Sequence, residues 1–177
     1  MAWEAIKATQ YQRVPGGITI WDYLLKNHGY SVPCKRTGAP QGITITAVPV
    51  YLYEKGKTTA DLTARHIEAL DREGLIPHYF VSISSIWQVL DTADCWQRSD
   101  GRANDKTLSI AITMTDGLVP WMYNLAPMDH AAMLTAYLLH KFRLSDKDIR
   151  ITKNCPVFFT SRWKDFKQKV RTQMKAL

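Results

Sequence analysis

Ile151-Thr152-Lys153-Asn154-Cys155-Pro156-Val157-Phe158, near the carboxyl terminus, is the stretch that decides how this chain is read. It follows a short apolar run, Ile149 to Ile151, that reads as a strand. Behind it, Pro156 and Thr160-Ser161 set up a helix. That helix carries an apolar stripe of Trp163, Phe166, Val170 and Met174 at helical spacing. A lysine two residues ahead of a cysteine is therefore held between a strand and a helix.

Working outward, Met128 to Phe142 reads as a helix with Ala131, Leu134 and Leu138 on one side, and Arg143-Leu144-Ser145-Asp146 ends it. Thr107 to Met114 reads as a strand. So does Ile43-Thr44-Ile45-Thr46, where apolar and polar residues alternate; the β-rich run continues to Tyr53, with Pro49 marking an edge or a strand end. Thr58 or Thr59 N-caps a predicted helix reaching about Glu73, with Ala60, Ala64, Ile67 and Leu70 as its stripe and Gly74 as its C-cap. His78 to Ile83 and Ile86 to Leu90 read as strands joined at Ser84-Ser85. Asp91 to Asp105 reads as a polar loop carrying Trp96 and Gly101. The expected class is mixed α/β: a single domain with a central mixed β-sheet flanked by helices. Residues 1–35 resist assignment and read as an N-terminal extension to a domain spanning residues 36–177.

Composition narrows the function classes. At 46% hydrophobic and 22% charged, with 177 residues, the chain can bury a real core. No apolar run reaches the roughly 18 residues of a membrane span, and Met1-Ala2-Trp3-Glu4-Ala5 does not read as a signal peptide. The expected location is cytoplasmic. Lys and Arg total 23 against 16 Asp and Glu, a net charge of +7, which points either to an anionic partner or to a plain basic surface. Three cysteines, Cys34, Cys95 and Cys155, widely spaced and odd in number, do not read as a disulfide framework.

The order of these elements, with His78-Tyr79-Phe80-Val81, Ser109-Ile110-Ala111-Ile112 and Lys153-Asn154-Cys155-Pro156, resembles the phage N-acetylmuramoyl-L-alanine amidases, whose fold is shared with peptidoglycan recognition proteins. The resemblance runs over about residues 36 to 175. It implies a zinc held by two histidines and a Cys or Asp, polarising the scissile amide and activating water. Cys155 matches the thiolate position and Lys153 the lysine that steadies the developing oxyanion. The rest of the ligand set departs from the pattern. Where the family's first histidine ends its strand, this chain has Thr46. By counting back from the motif, Lys147 falls nearest the second histidine, and a cation there would oppose Zn²⁺. Gln97 replaces a histidine in the family's Trp-His-Ala-Gly loop, here Trp96-Gln97-Arg98-Ser99. Thr113 stands where an acidic residue often follows.

The sequence therefore predicts an amidase-fold protein without zinc and without catalysis, phage-encoded, acting in the host cytoplasm. Lys153 and Cys155 would be relics, and Thr46, His78, Trp96, Gln97, Arg98, Arg102, Thr113 and Lys153 the cleft or binding residues. Cys155 also reads as a buried core residue or as a thiol activated by Lys153. The Trp96 loop, with Arg98 and Arg102, is the best binding candidate, or else a tryptophan tucked over the core edge. Two partner classes remain: a muropeptide bound without cleavage, or a host protein or nucleic acid that the chain inhibits or regulates. A regulatory role has a precedent in the resemblance, because a phage lysozyme of this kind also inhibits RNA polymerase. The opposing reading is an active amidase with relocated ligands or a Cys155-dependent mechanism.

Overall fold

The alternation at Ile43-Thr44-Ile45-Thr46 survives in three dimensions: Ile43 and Ile45 are fully buried, while Thr44 and Thr46 are only partly covered. The structure, a computed structural model, describes residues 11–14, 18–22, 31–49, 77–82, 86–98, 106–114, 125–153, 155 and 157–177. Its strands are β1 (Tyr11–Val14), β2 (Ile18–Asp22), β3 (Ser31–Lys35), β4 (Gly42–Pro49), β5 (Tyr79–Val81), β6 (Ile86–Gln88), β7 (Asp94–Arg98), β8 (Thr107–Met114) and β9 (Ile149–Ile151). The helices are α1 (Leu125–Lys141), α2 (Val157–Ser161) and α3 (Trp163–Met174), with a 3-10 turn at Asp146–Asp148.

Among the described residues the strands make a seven-stranded sheet in the order β1-β2-β6-β5-β8-β4-β9, and a separate ribbon of β3 with β7. The large sheet is mixed. β4 runs parallel to both β8 and β9, β5 is parallel to β8 and β2 to β6, while β1–β2 and β5–β6 are antiparallel. The apolar residues of β8 suit this central place: Leu108, Ile110, Ala111 and Ile112 are all at most 1% exposed. Helix α1 packs over β8, β4, β5 and β2, and α3 packs on α1. The stripe expected on α1 is the buried one, with Ala131, Leu134 and Leu138 at 0% exposure.

Helix α1 ends in a Schellman motif. Arg143 takes φ 56°, its N–H bonds the His140 carbonyl at 3.2 Å, and the Leu144 N–H bonds the Leu139 carbonyl at 2.8 Å. Ser145 and Asp148 then close a reciprocal capping box around the 3-10 turn, which feeds β9 back against β4. Gly42 of β4 lies so close to this turn that a Cβ there would sit 2.7 Å from the Asp148 carbonyl oxygen.

Several expectations are revised. Residues 91 to 105 are not all loop: Asp94–Arg98 is β7, because β3 supplies its backbone partners in unbroken succession from Ser31↔Arg98 to Lys35↔Asp94. The N-terminal extension is partly built into the fold, with β1 and β2 lengthening the large sheet. The two strands after residue 77 are shorter than read, at three residues each. The helix expected over 58 to 73 and the strand continuation beyond Pro49 lie outside the described residues, as do Ser84-Ser85. No helix of the described residues is long and apolar enough to cross a membrane.

Candidate functional site at the seam of β4 and β9

The pairing Ile43↔Ile149, Thr44↔Arg150, Ile45↔Ile151 brings the next residues of β4 and β9, Thr46 and Thr152, side by side. The Thr152 N–H bonds the Ile45 carbonyl at 3.0 Å, and the two threonine hydroxyls are 3.3 Å apart. The chain then turns, with the Cys155 N–H on the Thr152 carbonyl at 3.2 Å. That turn lays the Cys155 sulfur 3.2 Å from the Ala47 N–H, which donates to it. Phe159, in α2, anchors the far side of the turn. It is fully buried and packs edge-on to Trp163 and Phe166 at 6.0 and 5.5 Å, a burial that stabilises this part of the chain by about 1.5–3 kcal/mol. Thr46, Thr152 and Cys155 thus gather where β9 ends, beside the middle of β4, which runs on to Pro49. Lys153 stands exposed beside them.

Thr152 was legible only as part of the motif; its place beside Thr46 comes from the β4–β9 register. Counting along the sequence instead pointed to Lys147. That residue sits in the 3-10 turn at the amino-terminal end of β9, away from Thr46, and is exposed. Register, not counting, decides which residue stands next to β4.

Chemically, this group is two neutral hydroxyls and one thiol. Burial pushes the Cys155 thiol up, only partly offset by the Ala47 N–H and the Thr152 side chain. Such a thiol stays protonated at neutral pH and is a weak nucleophile. Zinc of the kind the resemblance implies needs about three strong protein donors. Thr46, Thr152 and Cys155 do not fit it, and among the described residues no three His, Cys, Asp or Glu side chains form a ligand group.

His78, read from the sequence as a cleft residue, is buried, at 1% exposure. Its Nδ1 lies 2.9 Å from the Ser109 hydroxyl and accepts from the Ser109 N–H at 3.1 Å; its Nε2 lies 3.1 Å from the Asp94 carbonyl and 2.9 Å from Arg36 Nη2. An Nδ1 that accepts from the Ser109 N–H carries no proton, so the ring is neutral. Its pKa is lowered to about 4, first by burial and further by the Arg36 charge, against the raising effect of the Asp94 carbonyl. Arg36 also donates to the carbonyls of Thr92 and Asp94. His78 and Arg36 therefore pin the β3–β7 ribbon to the large sheet between β5 and β8.

The structure thus parts the expected residues into two groups. Thr46 and Cys155 gather with Thr152, and Lys153 follows Thr152 in the chain, exposed. His78 belongs to the buried root of the ribbon. Trp96, Gln97 and Arg98 lie on β7, and Thr113 lies near the carboxyl end of β8, opposite Val48; the side chains of these four, and Arg102 altogether, lie outside the described residues. The ribbon also places Cys34 directly across from Cys95, a juxtaposition the spacing of the cysteines did not reveal.

No protein-family model matches the chain, and no characterised protein matches it in sequence. Solved structures do. The catalytic domain of PlyG superposes with a TM-score of 0.62 at 16% identity, over 88% of this chain and 94% of that one. The Staphylococcus aureus hydrolase AmiA, solved with its ligand, gives 0.61 at 13% identity, over 88% and 82%. The N-acetylmuramoyl-L-alanine amidase LysC from Clostridium intestinale gives 0.52 at 15% identity, over 82% and 95%. At these identities the likeness establishes the fold.

Proposed function

We propose that this chain, which has the type 2 amidase fold of endolysin catalytic domains and N-acetylmuramoyl-L-alanine amidases, is a binding protein that does not cleave. The observation that carries the reading is the Thr46–Thr152–Cys155 group: hydroxyls that bond each other and a protonated thiol stand where β9 ends beside β4. Such groups offer hydrogen bonds to a peptide but no strong Lewis-acid site and no activated nucleophile. The ligand class that suits both the scaffold and these groups is a muropeptide, its stem-peptide amides meeting the hydroxyls and its carboxylates meeting Lys153.

The +7 charge supports a second reading, an anionic host protein or nucleic acid as the partner. The last helix lends this limited support, because Lys167 and Arg171 pair with Asp146, Lys169 with Asp129 and Arg162 with Asp165.

The test uses the full-length protein, incubated with excess zinc and dialysed. Expected are far less than one zinc per chain by elemental analysis, no release of peptide from purified cell wall, and saturable calorimetric binding of a muropeptide that chelator leaves unchanged. One zinc per chain, lost with wall hydrolysis in Cys155→Ser, refutes the reading in favour of an active amidase. Binding to nucleic acid that falls steeply with salt, with none to muropeptide, selects the second partner class.

A further inference from the structure

Cys34 and Cys95 occupy opposite positions in the antiparallel β3–β7 ribbon. The Arg36 N–H bonds the Ala93 carbonyl at 3.0 Å, which makes that pair a hydrogen-bonded one. Every second pair is then of the same kind, including Cys34 with Cys95. Pro33 falls on the alternate, non-bonded position opposite Trp96, where its missing N–H costs the ladder nothing. Hydrogen-bonded pairs hold their Cα atoms about 5.5 Å apart, inside the range of about 4.4–6.8 Å that a disulfide spans. Residues directly opposite share a face, and the two sulfurs lie 2.7 Å apart, closer than two unbonded sulfurs rest. Each also points at the other's carbonyl at 3.4 Å. Cys34 is half-buried and Cys95 buried. Cys155 belongs to a different place, against Ala47 of the large sheet, so the odd count resolves into one pair and one separate thiol.

We infer that Cys34 and Cys95 are a redox-active pair that closes into a cross-strand disulfide when a low-molecular-weight disulfide is supplied. The Cys34 thiolate, the more accessible, attacks one sulfur of the oxidant. A Cys34 mixed disulfide forms and one small thiolate leaves. Cys95 gives up its proton and attacks the Cys34 sulfur, so the Cys34–Cys95 bond forms and the second small thiol departs. Two protein thiols are oxidised and one small disulfide is reduced to two thiols. The bond spans a separation of 61 residues and fixes the strand that bears Trp96, Gln97 and Arg98 to the segment preceding β4. It acts on the ribbon, independently of whether the Thr46 site binds or cleaves.

The experiment equilibrates full-length protein with mixtures of reduced and oxidised glutathione. Samples are quenched in acid, denatured and labelled with a maleimide, so that burial does not limit access, and mapped by mass spectrometry. Reduced protein takes three labels. Oxidised protein is expected to take one, on Cys155, with a Cys34–Cys95 peptide and no dimer. The thermal midpoint is expected to rise by about 10 °C on oxidation. Cys155→Ser should keep the cross-link and the shift; Cys34→Ser and Cys95→Ala should each lose both. Three labels at excess oxidised glutathione, a cross-link involving Cys155, or cross-linking only between chains would overturn the inference.

Discussion

Acidifying the protein from pH 7 to pH 4 tests the neutral, buried His78 against a variant, His78→Gln, that cannot take up a proton. In the folded state the ring resists protonation, because burial and the Arg36 guanidinium disfavour the imidazolium and bring its pKa down to about 4 from an ordinary 6.5. Above pH 6.5 the ring is neutral in both folded and unfolded chains, and its contribution is fully present. Between 6.5 and about 4 the unfolded chain binds a proton that the folded chain refuses, so stability falls with pH at a slope approaching roughly 1.4 kcal/mol per unit. The loss amounts to about 3 kcal/mol by pH 4 and levels off below it, a large part of the roughly 5–15 kcal/mol that holds a domain folded. Asp146, lowered mainly by its bond to Arg171, and Asp148, lowered mainly by the Ser145 N–H, also favour the fold. Their contributions are lost as the pH falls below the ordinary carboxylate range, beneath the histidine window. Urea unfolding followed by tryptophan fluorescence at half-unit pH steps measures the effect, and the wild-type curve should drop relative to the variant between 6.5 and 4. Parallel curves, or an NMR titration of the His78 ring near 6.5, would refute the argument.

Two further perturbations probe the β4–β9 seam. Gly42→Ala drives a methyl against the Asp148 carbonyl and should cost about 1–3 kcal/mol, with faster hydrogen exchange at β9; an unchanged urea midpoint would contradict the close approach. Thr46→His combined with Thr152→His sets two imidazoles beside Cys155 and should create a site retaining about one zinc per chain after dialysis. Elemental analysis reads it directly, and no retained zinc would show that the three positions do not converge on one point.

What could be read in the sequence was what neighbours along the chain determine. The alternation at Ile43 to Thr46 and the stripes at Ala131, Leu134, Leu138 and Trp163, Phe166, Val170 mark buried faces because each residue's burial repeats with the local period. The motif around Lys153 and Cys155, taken with element order, pointed to the amidase fold. The rest depends on which strands meet. β7 is polar and shows no alternation, so only its pairing with β3 makes it a strand. Thr152 stands by Thr46 through a register across 106 residues, and Cys34 by Cys95 across 61. His78 looked like a polar cleft residue because nothing in its neighbourhood of sequence announces Arg36 or Ser109.

The position of β4 also sets an order of events during synthesis. This strand lies between β8 and β9, both parallel to it and both far downstream. Its alternating isoleucines therefore leave the ribosome well before either neighbour exists, and its second neighbour, β9, follows later still than β8. The central ladder is assembled from distant partners, which makes folding slow and leaves an apolar strand open to wrong pairings meanwhile. Truncation before Ile149 would remove a sheet edge, the turn carrying Cys155 and the helix packed on α1 in one stroke, so a nascent chain halted there has no way to complete its core.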